Sequence, residues 1–209
     1  MKDRTAYIEG LYAGKAAIVK ETYIAGSGAL DFTPVVDDDV ARFLALTVAA
    51  RRPARILELG TSIGFSAATM ATVARGYGGR ISTIEFEPEI AAAARRNFER
   101  LGLAECIEIL EGDARDILPS LEGPYDLIFQ DVDKELYPDL YEECTRLLAP
   151  DGLFLADDTL FPVLELESRW EPLRAPIDAF NRRLAADRRF ASSLLPIGDG
   201  VTVAIRLTD

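Results

Sequence analysis

Short apolar runs alternate with amphipathic segments along most of the chain. Five runs read as strands, at 55–60, 80–85, 106–111, 125–131 and 152–157. Several are nearly continuous in apolar residues, as expected of strands that are covered on both faces. Segments with apolar residues three and four apart predict helices at 65–75, 88–101 and 136–148. This alternation predicts an α/β fold, with a mostly parallel sheet and helices on both faces.

Both ends of the chain depart from this alternation. Residues 192–197 and 201–207 are strand-like and are joined by Gly198, Asp199 and Gly200, which predicts a C-terminal antiparallel hairpin. Segments 3–20 and 36–50 predict helices that cap the sheet or form a lid. The Gly, Ser and Pro content of 24–34 predicts a mobile connection between them. We expect one domain, 1–209, with the helices and lid in 1–50 and the sheet core in 55–209.

The charge balance and the missing histidine restrict the possible functions. The formal net charge is −12, which argues against a nucleic-acid partner because such binding depends on Lys and Arg contacts to phosphates. The chain has no histidine, so Ser/His and Cys/His catalysis and histidine metal sites are excluded. Any chemistry must use carboxylates, Lys, Tyr, Ser, a metal or a cofactor.

The cysteines and the apolar runs indicate where the protein works. The two cysteines, Cys106 and Cys144, each fall inside a predicted strand or helix and give no disulfide framework. No apolar run is long enough to span a membrane, and charged residues interrupt the first twenty positions. We therefore expect a cytoplasmic protein without a membrane partner.

The segment ILELGTSIGFSAATMA (56–71) places a glycine turn between a strand and a helix. It contains Glu58, Gly60 and Gly64, and such a turn forms a ligand crevice at the carboxyl end of a parallel sheet. The spacing GTSIG differs from the GxGxxG pattern of dinucleotide-binding proteins. The alternative interpretation is a tight connection with no ligand.

Acidic residues follow the next two predicted strands. Glu85 ends the second strand, where a carboxylate can accept both ribose hydroxyls of a nucleoside. Asp113 follows the third strand and could meet the adenine amino group. Either acid alone could be a solvated surface residue. Polar or glycine positions at three successive strand ends instead favour a nucleoside site.

Two further pairs of acids follow the last two predicted parallel strands, Asp131 with Asp133 and Asp157 with Asp158. Neighbouring parallel strands would bring them together, and clustered carboxylates repel unless a cation neutralises them. Oxygen ligands favour Mg²⁺, Mn²⁺ or Ca²⁺. The alternative is that these residues cap helices.

Six motifs together resemble the class I S-adenosylmethionine-dependent O-methyltransferases of the catechol and caffeoyl-CoA type. They are ILELGTSIGFS, TIEFEP, EGDA, FQDVDK, LADDTLF and LPIGDGVT, and the resemblance covers roughly residues 30 to 207. It implies a Rossmann-like class I methyltransferase fold and a cofactor site with Phe86 against the adenine. The implied cofactor residues are Glu58, Gly60, Ser66, Glu85, Phe86, Asp113, Ala114 and Asp131.

The same resemblance implies a metal-assisted reaction. Asp131, Asp157 and Asp158 would hold a divalent cation, with Mg²⁺ first and Mn²⁺ or Ca²⁺ possible, and Lys134 would take the proton from a small hydroxylated, catechol-like acceptor. We expect burial and the cation to depress the Lys134 pKa. The family usually has Asn where this chain has Asp158, which puts metal preference and activity in question. The resemblance also suggests a homodimer.

Two other classes of protein fit part of this pattern. A nicotinamide-dependent oxidoreductase would need a dinucleotide fingerprint, and both the GTSIG spacing and the terminal hairpin argue against it. A non-catalytic or metal-independent S-adenosylmethionine-binding protein on the same fold would retain the crevice but lose the metal chemistry. Asp158 and the unusual segment FPVLELESRW (161–170) could mark such a loss.

Overall fold

A computed structural model describes residues 4–15, 18–27 and 34–208. The strands are β1 Arg55–Leu59, β2 Arg80–Glu85, β3 Ile107–Glu111, β4 Tyr125–Gln130, β5 Leu148–Ala156, β6 Phe190–Leu195 and β7 Val201–Arg206. The α-helices are α1 Arg4–Tyr12, α2 Lys20–Ser27, α3 Asp38–Arg51, α4 Phe65–Ala74, α5 Pro88–Arg100, α6 Ala114–Ile117, α7 Tyr137–Leu147 and α8 Arg174–Ala186. Short 3₁₀ turns lie at Arg75–Tyr77, Leu118–Ser120, Lys134–Leu136 and Glu171–Leu173.

All seven strands form one sheet in the order β3-β2-β1-β4-β5-β7-β6. The strands β1 to β5 pair in parallel, whereas β7 runs antiparallel to both β5 and β6. The predicted mostly parallel sheet with a C-terminal antiparallel hairpin is confirmed. The strand order reverses between β1 and β4, the place where sheets of this kind bind ligands at their carboxyl edge.

Helices cover both faces of the sheet. Successive residues of β1 point to opposite faces, so Ile56 packs in the core beneath α3, α4 and α5, while Leu57 packs in the core beneath α7 and α8. Both side chains are fully buried. This double coverage explains why the parallel strands read as continuous apolar runs.

The N-terminal predictions need two corrections. The helix expected over 3–20 ends at Tyr12, because Gly14 adopts a left-handed φ of 73° in the turn that follows. The connection expected over 24–34 is helical as far as Ser27, because α2 buries Tyr23 and Ser27 against the rest of the protein. Residues 28–33 of that connection lie outside the described residues. The division into a lid over 1–50 and a sheet core over 55–209 stays a prediction.

Helix α8 was missed by the sequence reading. Its buried residues Ile177, Phe180 and Leu184 recur at three and four spacing, which is an amphipathic signal that the interleaved arginines obscured. The predicted strand at 192–197 begins and ends two residues earlier, as β6. None of the described helices is long and apolar enough to span a membrane.

Candidate active site

A cavity of about 970 Å³ opens at the carboxyl edge of the sheet, where the loops after β1 to β5 meet. Its walls also include residues from the N-terminal segments and from the segment between β5 and α8. The predicted site residues on its wall are Gly60, Ser66, Glu85, Phe86, Asp113, Ala114, Asp131, Lys134, Asp157 and Asp158. The structure therefore brings together all predicted site residues except Glu58.

The glycine turn after β1 is tightly packed against the loop after β4. Gly60 has a φ of 95°, and a Cβ atom there would lie 2.2 Å from the carbonyl oxygen of Asp131. The amides of Gly60 and Thr61 both donate to the carbonyl of Ile84, each at 3.1 Å. Only glycine fits this left-handed position and this close approach, so the turn holds the floor of the cavity in a fixed shape.

Glu85 projects from the end of β2 and is already held by backbone donors. Its Oε2 accepts the Ser62 amide at 2.8 Å, and its Oε1 accepts the Glu87 amide at 3.0 Å. Burial raises the pKa of Glu85, and the backbone hydrogen bonds oppose that rise. Each carboxylate oxygen has a second lone pair, so the side chain can still accept hydroxyl groups from a ligand.

Glu58 lies beneath the cavity and does not reach its wall. The side chain is fully buried, and its Oε2 accepts a hydrogen bond from the Thr83 hydroxyl at 2.5 Å. Its other oxygen has no hydrogen-bond partner among the described residues. Burial raises the pKa of Glu58 to about 8, with smaller contributions from Asp131 and Glu85. The Thr83 hydroxyl also lies 2.6 Å from the Thr61 hydroxyl, which links Glu58 to the glycine turn.

The loop after β3 forms another side of the cavity. Asp113 caps α6 by accepting the Arg115 amide at 2.8 Å, and its carboxylate also pairs with the Arg115 guanidinium. These hydrogen bonds lower the pKa of Asp113. Asp113 therefore caps a helix, a role that was not predicted for it from the sequence. Phe86 is 61% exposed beside this loop, which leaves its ring free to contact a ligand.

The N-terminal segments close over the glycine turn, a contact that the sequence did not predict. The Tyr23 hydroxyl of α2 donates to the carbonyl of Ile63 at 2.9 Å. Ser62 donates through its hydroxyl to the carbonyl of Pro34 at 2.6 Å. The sequence signal was Tyr23 itself, which lies between the predicted helix over 3–20 and the predicted connection over 24–34. A tyrosine commonly packs against the protein while its hydroxyl finds a hydrogen-bond partner.

Three carboxylates and one lysine meet after β4 and β5. The Lys134 ammonium lies 2.6 Å from Asp131 Oδ1 and 3.0 Å from Asp158 Oδ2. It also donates to the Tyr137 hydroxyl at 3.2 Å. Asp157 is 4% exposed, and its Oδ1 has no hydrogen-bond partner among the described residues. The capping alternative does not explain this cluster, because none of its acids caps a described helix through its side chain.

The charges of this cluster shift its pKa values strongly. Burial raises the pKa of Asp131 to about 6 against the opposing effect of Lys134, and burial together with Asp131 raises the pKa of Asp157 well above its ordinary value. Burial alone would lower the pKa of Lys134, but the neighbouring carboxylates outweigh it and raise that pKa. The expected depression of the Lys134 pKa depends on a bound cation and stays a prediction, because the carboxylates by themselves raise that pKa.

The cluster supplies hard oxygen donors, but its side chains are not arranged as a finished metal site. Across 4–15, 18–27 and 34–208, no three acidic or cysteine side chains converge as they would around an ion. The Lys134 ammonium lies between Asp131 and Asp158 instead. Asp158 has a φ of 56°, a conformation that Asp and Asn adopt more readily than most residues. The left-handed backbone at this position therefore accepts Asp as well as the Asn that is usual in the family.

The segment between β5 and α8 adds apolar side chains that the sequence reading did not assign. Phe161, Trp170 and Leu173 line the same cavity as Asp157 and Asp158. Phe161 and Leu173 are buried, while Trp170 is half-buried. The single tryptophan of the chain was the available signal, because Trp is enriched at sites where an apolar ring lies next to a polar environment.

Comparison with known proteins decides the family. The family described as O-methyltransferase matches residues 18–207. The chain belongs to this O-methyltransferase family. It is 35% identical over 192 residues to a catechol O-methyltransferase of Niastella koreensis, covering 87% of this chain and 84% of that protein. The enzyme is thus an S-adenosylmethionine-dependent O-methyltransferase, and the oxidoreductase and non-catalytic alternatives are set aside.

Solved structures confirm the class I fold of the enzyme. A methyltransferase of Podospora anserina with bound SAH superposes with a TM-score of 0.84 at 28% identity, covering 100% of this chain and 97% of that one. An O-methyltransferase of Bacillus cereus in complex with SAH gives a TM-score of 0.80 at 27% identity, covering 94% and 96%. The Rossmann-like class I methyltransferase fold and the S-adenosylmethionine cofactor are thereby established.

Proposed function

We propose that the enzyme transfers a methyl group to one hydroxyl of a small catechol-like acceptor, with a divalent cation held by Asp131, Asp157 and Asp158. The observation that carries this proposal is the buried, unpartnered Oδ1 atom of Asp157 beside two further carboxylates on the described cavity wall. A buried carboxylate oxygen without a partner is costly, and a hard cation such as Mg²⁺ would satisfy it.

The cofactor half of the cavity supplies binding and orientation. S-adenosylmethionine, when bound, supplies the sulfonium methyl group. We propose that Glu85 accepts its ribose hydroxyls, that Phe86 lies against its adenine, and that the loops of Gly60 and Asp113 enclose the rest. The backbone donors to Glu85 hold that carboxylate before any ligand binds, so little ordering is needed on binding.

Lys134 is the group proposed to receive the acceptor proton, at its Nζ atom. The cation, when bound, supplies Lewis acidity that lowers the pKa of a nearby hydroxyl group. In the cluster as described, the carboxylates keep Lys134 protonated. The Lys134 pKa would fall once the charges of Asp131, Asp157 and Asp158 are neutralised, which would free its lone pair for the proton. Tyr137, 3.2 Å from Nζ, would orient the amine.

The charges on the cavity wall favour a neutral or cationic acceptor over an anionic one. The basic residues on the wall are Lys20, Arg115 and Lys134, and each forms an ion pair with a carboxylate of the same wall. Asp199 also lines the cavity, and burial together with the charges of Asp158, Asp37 and Asp39 raises its pKa. Some relatives are named caffeoyl-CoA O-methyltransferases. The phosphate groups of a CoA thioester would find no unpaired basic side chain among the described residues of the cavity wall.

Methyl transfer from labelled S-adenosylmethionine tests the proposal. Catechols with neutral, cationic and anionic substituents and a CoA thioester would be compared with Mg²⁺, with Mn²⁺, with Ca²⁺ and with excess chelator. Asp157→Ala should lose transfer, while Asp178→Ala on the surface of α8 serves as the matched acidic control. Asp158→Asn should weaken metal affinity but keep or raise turnover at saturating Mg²⁺.

Three outcomes separate the parts of this proposal. Full transfer in excess chelator, with no metal found by elemental analysis, would leave a metal-independent methyltransferase. Preference for the CoA thioester would contradict the charge argument alone. Absence of transfer to every phenol would contradict the acceptor class.

We further propose that the enzyme is a homodimer. Tyr7, Ile8, Leu11 and Tyr12 of α1 are each more than 40% exposed, and a surface of large apolar side chains favours association. Analytical ultracentrifugation of the full chain and of Ile8→Ser would test this, with a monomeric parent contradicting it. The cytoplasmic location and the lack of a nucleic-acid partner stay predictions from composition.

A further inference from the structure

The segment 161–173 follows β5, begins next to Asp158 and leads into α8. It carries Phe161, Trp170 and Leu173 onto the cavity wall. Only Trp170 of these three keeps substantial exposed surface, since Phe161 is 8% and Leu173 7% exposed. Trp170 therefore has ring surface left to contact a molecule in the cavity.

A single arginine ties this segment together. Arg174, the first residue of α8, donates through Nη1 to the carbonyls of Phe161 and Pro162 at 2.9 and 3.0 Å. Its Nη2 donates to the carbonyl of Leu164 at 2.6 Å. Its Nε and Nη2 also bind the two carboxylate oxygens of Glu171 at 2.6 and 2.9 Å. The planar guanidinium makes all these bonds at once, which a lysine ammonium cannot do.

This arginine clasp, Arg174 with its partners, binds the residue that follows Trp170 in the chain. Trp170 directly precedes Glu171, whose carboxylate Arg174 holds. The Trp170 carbonyl accepts the Leu173 amide at 3.0 Å, and its amide donates to the carbonyl of Glu167 at 2.8 Å. The Arg169 guanidinium lies 4.8 Å from the indole ring centre. Arg174 therefore binds both the start of the segment, at Phe161, and its end, at Glu171 next to Trp170.

We propose that Trp170 is a specificity-determining residue that contacts the aromatic ring of the acceptor, and that Arg174 is the residue that positions it. The inference rests on the proposed function, because it takes the acceptor to be a phenol. The other cavity aromatics of the described chain are less suited. Phe65 and Phe161 are buried in the cores, and Phe86 lies beside the β2 and β3 loops of the cofactor half.

Trp170 is the only tryptophan in the sequence, so its fluorescence reports directly on this contact. Catechol would be titrated into the full chain with Mg²⁺ and saturating S-adenosylhomocysteine, which permits binding without transfer. We expect a saturable change in the tryptophan emission. An enzyme that methylates catechol but shows no emission change on binding it would overturn the proposal.

The clasp has its own test, which does not need the reaction. Arg174→Met should shift the emission of the unliganded protein towards longer wavelength, because the indole becomes more exposed when the segment loosens. Arg174→Lys should shift it nearly as far, since charge alone cannot bridge three carbonyls. Arg182→Met, on the same helix and paired with Asp178, is the matched control and should leave the emission unchanged. Parent-like emission in both Arg174 variants would overturn the positioning role.

Steady-state kinetics separate a positioning role from a general loss of stability. Trp170→Ala and Arg174→Met should raise the acceptor KM about three- to tenfold, the range expected for an aromatic pair contact, with kcat and cofactor affinity nearly unchanged. Trp170→Phe should recover most of the loss. Equal losses in kcat and cofactor affinity would show a merely structural role. If the parent methylates no phenol at all, the proposed function fails first and the acceptor contact with it.

Discussion

The two halves of the cavity treat their carboxylates differently. In the cofactor half, Glu85 is held by two backbone amides and Asp113 by Arg115. In the metal half, which is formed by the loops after β4 and β5 and named for the proposed cation, Asp131 and Asp158 share the ammonium of Lys134, and one oxygen of Asp157 has no partner among the described residues. In the first half the chain itself supplies hydrogen-bond donors to each carboxylate, whereas in the second three carboxylates lie around one lysine.

The two halves are therefore suited to different functions. Donors fixed by the backbone cost little to organise, so the cofactor half is suited to binding and orientation. Carboxylates whose pKa values are raised by burial and by neighbouring charges occur more often at functional sites than elsewhere. Substitutions in the first half should therefore change affinity, and substitutions in the second should change turnover and the response to metal.

The largest expected effect is on turnover, in the metal half. Lys134→Met should lower kcat by about 10²- to 10⁴-fold, the usual contribution of a general base, while cofactor affinity stays nearly intact. The same variant should gain more in melting temperature from added Mg²⁺ than the parent does, because Lys134 no longer competes with the cation for Asp131 and Asp158. Rapid-quench turnover and thermal melts with and without metal measure the two effects.

The control for this variant is Arg95→Met, which removes an exposed cation paired with Glu111 and should change neither quantity. Turnover equal to the parent across the pH range would show that Lys134 is not the base. A smaller metal response than the parent would contradict the idea that lysine and cation compete for the same carboxylates.

The second effect is on stability, at the contact between the two halves. Gly60→Ala places a Cβ atom 2.2 Å from the Asp131 carbonyl oxygen and keeps a left-handed backbone, so we expect a loss of about 3 kcal/mol in the free energy of unfolding. Urea denaturation measures it. Gly76→Ala is the matched control, because a methyl group there would meet no other part of the described chain within 4 Å. Equal stability of the two variants would mean that the loops after β1 and β4 can separate freely.

The third effect is on affinity, in the cofactor half. Glu85→Ala should weaken S-adenosylmethionine binding by about 1.5–3 kcal/mol, because hydrogen bonds to a charged group are lost. Calorimetry measures the affinity, and Glu111→Ala at the end of the neighbouring β3 is the control, since it lies outside the cavity wall. Unchanged affinity in Glu85→Ala would show that Glu85 does not bind the ribose hydroxyls.

The sheet was predictable because its signals are local. Strands β1 and β2 are apolar runs that end at Gly60 and Glu85, and parallel packing on both faces demands such runs. The meeting of Asp131 with Asp157 followed from the rule that parallel strands share one carboxyl edge. The site residues at strand ends were found for the same reason, without any knowledge of side-chain contacts.

The features that could not be predicted depend on contacts between segments that are distant in the sequence. Glu58 shares the strand face of Ile56, so its side chain enters the core beneath the turn, which the motif alone does not show. The direction of the Lys134 pKa depends on the balance between burial and three carboxylates, a sum that no spacing reveals. The arginine clasp joins residues ten or more positions apart only because α8 folds back against the segment after β5.

The smallest expected effect on function concerns Glu58, which interacts electrostatically with both halves through Asp131 and Glu85. Its pKa is raised to about 8, so between about pH 4.5 and 8 the folded protein keeps a proton that the unfolded chain has released. Stability should therefore fall as the pH rises through this window. Glu58→Gln should flatten that dependence by at most about 1.4 kcal/mol per pH unit, while cofactor affinity and turnover change little because Glu58 is off the cavity wall. Urea denaturation at pH 5, 6, 7 and 8 compares parent and variant. Parallel curves would show that Glu58 is ionised in the folded protein, and a strong loss of affinity would show that it contacts the cofactor after all.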